Sequence, residues 1–115
     1  MCTRSEAMTI LNEVFERSRE LFGNSLVNCY LYGSYARGDY DEESDVDILL
    51  TVDCGGYDDI REYADSLAQI DSDLSLDHNV TVCIIAEPLE QFNRYANISP
   101  FYQNVISEGI RYDGN

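Results

Sequence analysis

Apolar residues recur along this chain with two different periods. Ile10, Leu11, Val14, Phe15, Leu21 and Phe22 lie at helical spacing, and predict a first helix over about residues 4–22. Thr3-Arg4-Ser5-Glu6 opens it as a capping box, and Gly23-Asn24 closes it. Leu26–Tyr32 and Val46–Val52 are short, nearly continuous apolar runs, read as the first and second strands. Between them Gly33 to Arg37 forms a short helix or turn that Gly38 ends. After the turn Asp53-Cys54-Gly55-Gly56, Ile60, Tyr63, Ala64, Leu67 and Ile70 share one face of a helix from Tyr57 to about Ile70, with Asp71-Ser72-Asp73 as its end. Asn79 to Ile85 is the run richest in β-prone residues and predicts the third strand. Pro88 then starts a helix to about Tyr95 with Phe92 inward, and Ser99-Pro100 caps a last helix that stops at Gly109.

The connection from the first strand to the second is about a dozen residues, short for a parallel crossover, so that pair is expected to be antiparallel. A full helix separates the second strand from the third, which suits a parallel crossover. The expected class is α/β (α+β), a small mixed three-stranded sheet flanked by about four helices. All 115 residues are expected to form a single domain, 1–115.

Two positions break the apolar pattern in an informative way. Asp45 and Asp47 bracket the start of the second strand, and residues i and i+2 of a strand point to one face. Two carboxylates held together repel unless a cation joins them, and Mg²⁺ is the usual one beside phosphates. Gly33-Ser34, with ten residues between it and Asp45, supplies backbone N–H groups and a hydroxyl suited to phosphate oxygens. In an antiparallel pair the end of the first strand lies beside the start of the second, so the two halves should meet. A phosphate cradle beside metal-binding carboxylates is the chemistry of nucleotide transfer.

Charge narrows the partners. Asp and Glu number 22 against 7 Lys and Arg, a formal net charge of −15. A duplex-binding module needs a basic footprint, so direct contact with duplex nucleic acid is not expected, and a basic protein or a cation-complexed nucleotide suits the field better. Every basic residue is Arg, which excludes chemistry that depends on Lys and leaves Arg37 as the cation inside the motif. Arg37 could neutralise phosphate or pair with Asp39, Asp41 or Glu42. The four cysteines form no metal-binding spacing, and Cys29 and Cys83 read as buried strand thiols. No apolar stretch has membrane-span length and the N-terminus lacks a signal-peptide shape, so a cytoplasmic location without membrane contact is expected. The acidic run from Asp39 fails as a calcium loop, because Ser44 and Leu50 stand where Gly and Glu are needed. His78 reads as a strand-edge residue, and Tyr35 as a core residue or a platform for a base.

The run G-S-Y-A-R-G-D-Y-D-E-E-S-D-V-D-I, Gly33 to Ile48, resembles the signature of the DNA polymerase β-like nucleotidyltransferase superfamily, and in particular its minimal nucleotidyltransferase (MNT) proteins. The tail Pro100-Phe101-Tyr102-Gln103-Asn104-Val105 with Glu108-Gly109 is similar to short bacterial proteins of this type. The resemblance implies an enzyme that uses ATP with one or two Mg²⁺ ions. Gly33, Ser34 and Arg37 would hold phosphates, and Asp45 and Asp47 the metal. The superfamily usually adds a third carboxylate from the next strand. Asp77, Asn79 and Thr81 share the required parity there, and Asp77 is the acidic one. Similar proteins pair with HEPN-domain toxins as antitoxins, adenylylating the partner or simply binding it. A chain of this size has room for the catalytic domain alone, so the acceptor should be held by a partner or by a second copy, in a homo- or hetero-oligomer.

Overall fold

The computed structural model describes residues 2–112. Helix α1 (Arg4–Phe22) begins where Thr3 accepts a hydrogen bond from the Glu6 amide at 3.1 Å and ends at Gly23, whose φ of 58° is one that L side chains rarely adopt. A single 3-10 turn leads into β1 (Leu26–Tyr32), α2 (Ser34–Arg37) and β2 (Val46–Val52). Next come α3 (Tyr57–Arg61), α4 (Ala64–His78), β3 (Val82–Pro88), α5 (Leu89–Tyr95), α6 (Pro100–Glu108) and β4 (Ile110–Arg111). The sheet order is β3-β2-β1-β4, with β1 antiparallel to β2 and β4, and β2 parallel to β3.

The α/β class and both expected strand pairings hold, with three corrections. The sheet has a fourth strand, and the described residues contain six α-helices rather than about four. Two residues of β4 are too few to display an alternation. They reach β1 because Gly109 lacks a side chain, whose Cβ would run into the carbonyls of Val105 and Leu31. The helix expected over 57–70 is broken at Glu62-Tyr63, where the Tyr63 ring packs on Phe22 at 4.8 Å. The helix also continues through Asp71-Ser72-Asp73 to His78, which moves the start of β3 from Asn79 to Val82.

Tertiary partners carry α4 through that polar stretch. Asp73 pairs with Arg17 of α1 at 3.0 Å, and His78 meets Glu13 at 3.1 Å. Ser75 Oγ accepts the Val82 amide at 2.9 Å, so α4 caps an outward amide of β3, the sheet's edge strand, which would otherwise stand open to unwanted pairing.

The sheet's two faces are covered unequally. Val46, Ile48, Leu50 and Val52 point to one face, fully or almost fully buried against α1 and α4. On the other face Leu49 is buried under Phe92 of α5 and Tyr102 and Val105 of α6, with Tyr30 and Ile85 beside it. Full burial of a side chain of this size stabilises by roughly 1.5–3 kcal/mol. At the start of β2 this cover thins: α6 reaches the β1 edge of the next row through Phe101 on Tyr32, and leaves Cys83 exposed.

Candidate active site

The row consists of Tyr32, Asp47 and Cys83, which are partners across β1, β2 and β3. Gly33 follows Tyr32 with φ 78° and ψ −154°, and α2 begins at Ser34. The Gly33 carbonyl accepts the amides of Ala36 and Arg37, each at 3.1 Å, so the amides of Ser34 and Tyr35 fall in the unpaired first turn of the helix. A Cβ on Gly33 would stand 2.7 Å from Asp47 Oδ2. The phosphate turn and the second carboxylate are therefore in contact, and two properties of glycine permit it: the positive φ and the missing side chain.

Asp47 is half-buried, and its pKa is raised, first by burial, then by the neighbouring Asp45 charge, against a lowering by Arg37. Asp45 is exposed at the strand's start. A carboxylate desolvated beside another carboxylate favours proton or cation uptake. Burial and the charges of Asp47, Cys83 and Glu87 push the Tyr32 hydroxyl upward. These two carboxylates supply hard oxygen donors of the kind Mg²⁺ takes, with the turn's amides adjacent for phosphate.

Arg37 pairs with Asp39 at 3.3 Å, one of the expected partners, and also with Glu108 of α6 at 3.6 Å, which the motif alone did not reveal. Tyr35 is buried in the core, stacked on Tyr40 at 4.4 Å, with its hydroxyl donating to the Cys2 carbonyl. Burial and the Cys2 contact push its hydroxyl to about 12, and it is no platform for a base.

The expected placement of Asp77 on the third strand is corrected. Asp77 is an exposed residue in the last turn of α4, and Asn79 is that helix's cap, in the left-handed conformation. Thr81 precedes β3, its carbonyl accepting the Val46 amide at 2.8 Å. The parity was right, but the strand starts later, and the register brings Cys83 opposite Asp47. Cys83, expected to be buried, is exposed at its end of the row, whereas Cys29 is fully buried and its thiol is pushed up to about 12. Among the described residues no three His, Cys, Asp or Glu side chains gather as a metal-binding group. The signal for Cys83 was its spacing from Val82, which is buried on the opposite face.

With this geometry, the comparison with known families is decisive: the nucleotidyltransferase domain model matches residues 11–112. The chain belongs to the nucleotidyltransferase domain family. As a nucleotidyltransferase it is similar to a Methanocaldococcus jannaschii protein named "Putative protein adenylyltransferase MJ0604", 37% identical over 102 residues, covering 82% of this chain and 93% of that one. It is also similar to "Putative protein adenylyltransferase MJ0141" of the same organism, 47% identical over 47 residues, 41% of this chain and 48% of that protein. Two solved structures share the fold. One is a toxin–antitoxin crystal structure with AMP-PNP, at TM-score 0.57 and 20% identity, covering 87% of this chain and 69% of that chain. The other is a mutant of the toxin–antitoxin MntA-HpeT, at TM-score 0.56 and 20% identity, covering 90% and 72%. Among the described residues no helix is long and apolar enough to cross a membrane.

Proposed function

We propose that this nucleotidyltransferase, one domain over residues 1–115, transfers AMP from ATP to a hydroxyl of a partner protein in the cytoplasm, and that the partner is a HEPN-type toxin which the transfer neutralises. The observation that carries the reading is the Asp47 carboxylate lying against the Gly33 turn. The relative named as a protein adenylyltransferase supports protein as acceptor and AMP as the group moved, and the toxin–antitoxin structure with AMP-PNP supports the nucleotide and the setting.

In this reading the amides of Ser34 and Tyr35, with the Ser34 hydroxyl, hold the outer phosphates of ATP, and Arg37 offsets part of their charge. Asp45 and Asp47 would hold one or two Mg²⁺ ions, whose chemistry is to neutralise charge at the α-phosphate and to favour the acceptor's alkoxide. The acceptor hydroxyl gives its proton to solvent as its oxygen attacks the α-phosphorus. A new P–O bond forms as the bond to pyrophosphate breaks, so AMP is conserved on the acceptor and pyrophosphate is released. Carboxylates paired this way must be ionised to act, and the same proximity raises Asp47.

The test is incubation of the protein with α-labelled ATP, Mg²⁺ and the product of the neighbouring gene. Label on that product is expected, and a tight complex that stays unlabelled would overturn the reading. A second reading, neutralisation by contact alone, is favoured by one observation: Cys83 stands where a third carboxylate was expected. It predicts that Asp45→Asn with Asp47→Asn still neutralises the partner.

A further inference from the structure

Around the carboxylates the surface has two contrasting flanks. On the β1 side, the Phe101 ring meets Tyr32 edge-on, centroids 5.4 Å apart at 82°, and Tyr32 is the cross-strand partner of Asp47. Phe101 is 41% exposed, and Ile98, three residues before it, is 71% exposed. Ile98 directly precedes the cap Ser99 of α6, a position whose apolar side chain commonly closes over an apolar residue in the first turn. Here that residue is Gln103, which instead reaches the Asn97 carbonyl at 2.8 Å, so Ile98 lacks its usual cover. On the other flank, between α2 and β2, Asp39, Asp41, Glu42 and Glu43 are all exposed. Arg37, the cation beside them, is already engaged by Asp39 and Glu108.

An anionic nucleotide has no use for the acidic flank. A protein surface that offers an apolar side chain to the ledge and Lys or Arg to the acidic loop matches the chemistry of each flank, and the charge match speeds encounter while the apolar contact holds the complex. We infer that the Tyr32–Phe101–Ile98 ledge is the docking surface for the acceptor protein, which places an apolar side chain on Phe101 and Ile98 and basic residues against the loop from Asp39 to Glu43. This rests on the reading of a protein acceptor given above.

The test uses the full chain and the intact product of the neighbouring gene, with complex formation followed by calorimetry and transfer by α-labelled ATP. Ile98→Ser, at a surface position that cannot unfold the protein, should raise the KM for the acceptor several-fold. Ile98→Ser with Phe101→Ala should raise it about tenfold or more. In both, kcat should stay within about twofold and the affinity for ATP with Mg²⁺ should not move, because the ledge acts on docking. Glu42→Lys with Glu43→Lys should weaken the complex and flatten its salt dependence. The inference is overturned if both ledge variants keep the native KM, or if their loss is in ATP affinity, which would make the ledge a nucleotide contact. A native protein that neither binds nor labels the partner would overturn the protein-acceptor reading itself, and the docking surface with it.

Discussion

Two neighbouring rows of one sheet face behave as opposites. Tyr30, Leu49 and Ile85 form one row across β1, β2 and β3; Tyr32, Asp47 and Cys83 form the next, in the same register. They are separated by two residues, about 7 Å along the strands. Phe92, Tyr102 and Val105 cover the first row and Leu49 is fully buried. The second row is only partly covered: Phe101 packs on Tyr32, while Asp47 is half-buried and Cys83 exposed. The difference lies in how far α5 and α6 extend over each row. Coverage makes the first row a stability element, and the edge of coverage gives the second a partly desolvated carboxylate.

Substitutions one row apart should therefore fail in different assays. The largest effect is expected for Asp47→Asn, a loss of about 10²–10⁴ in transfer rate, since metal-held charge is worth several kcal/mol, with unfolding no easier than in the native protein. Leu49→Ala should do the reverse: about 2–5 kcal/mol of stability lost in urea unfolding, with activity per folded molecule much less affected. Gly33→Ala and Gly38→Ala sharpen the contrast, because both glycines have positive φ, 78° and 96°. Each should cost about 1–2 kcal/mol in the fold. Only Gly33→Ala should also impair transfer, because its Cβ would meet Asp47, whereas a Cβ on Gly38 would enter open space.

Asp71 of α4 gives the pH test. Burial raises its pKa from 3.8 to about 6, partly offset by the Ile84 amide, and its Oδ1 is buried without a partner. The folded state thus holds this proton more tightly than the unfolded chain. Its contribution is fully present below about pH 3.8 and is lost as pH rises through about 6. Asp71→Asn, which keeps a carbonyl for Ile84, should stabilise by about 1 kcal/mol at pH 7.5, allowing for partial solvent access. The gain should shrink toward zero near pH 4 when thermal unfolding is followed across that range. The smallest effect is expected for Cys83→Ser, within about 0.5 kcal/mol, because it is exposed.

Much of this was legible in the chain. Runs with strong periodicity or clear caps, such as α1, β1, β2 and α6, fall where expected, because local preference and tertiary packing agree there. Gly33 and Asp47 meet because antiparallel pairing puts the end of β1 beside the start of β2. What was missed depends on contacts distant in sequence. Asp71-Ser72-Asp73 looks like a helix end, but the Arg17–Asp73 pair and the Val82 amide on Ser75 hold the chain in α4 beyond it. That longer helix shifts β3 and exchanges Asp77 for Cys83 opposite Asp47. The Arg37–Glu108 pair joins residues 71 positions apart by sequence number, beyond the reach of any local pattern.

The most direct test of the central claim, that the second row and the Gly33 turn form one cation–phosphate site, is binding of Mn²⁺ followed by electron paramagnetic resonance, with and without AMP-PNP. The account predicts that the native protein and Cys83→Ser bind Mn²⁺ more tightly when the nucleotide is present, and that Asp47→Asn loses this binding while remaining folded. Equal nucleotide-dependent binding by Asp47→Asn would contradict it.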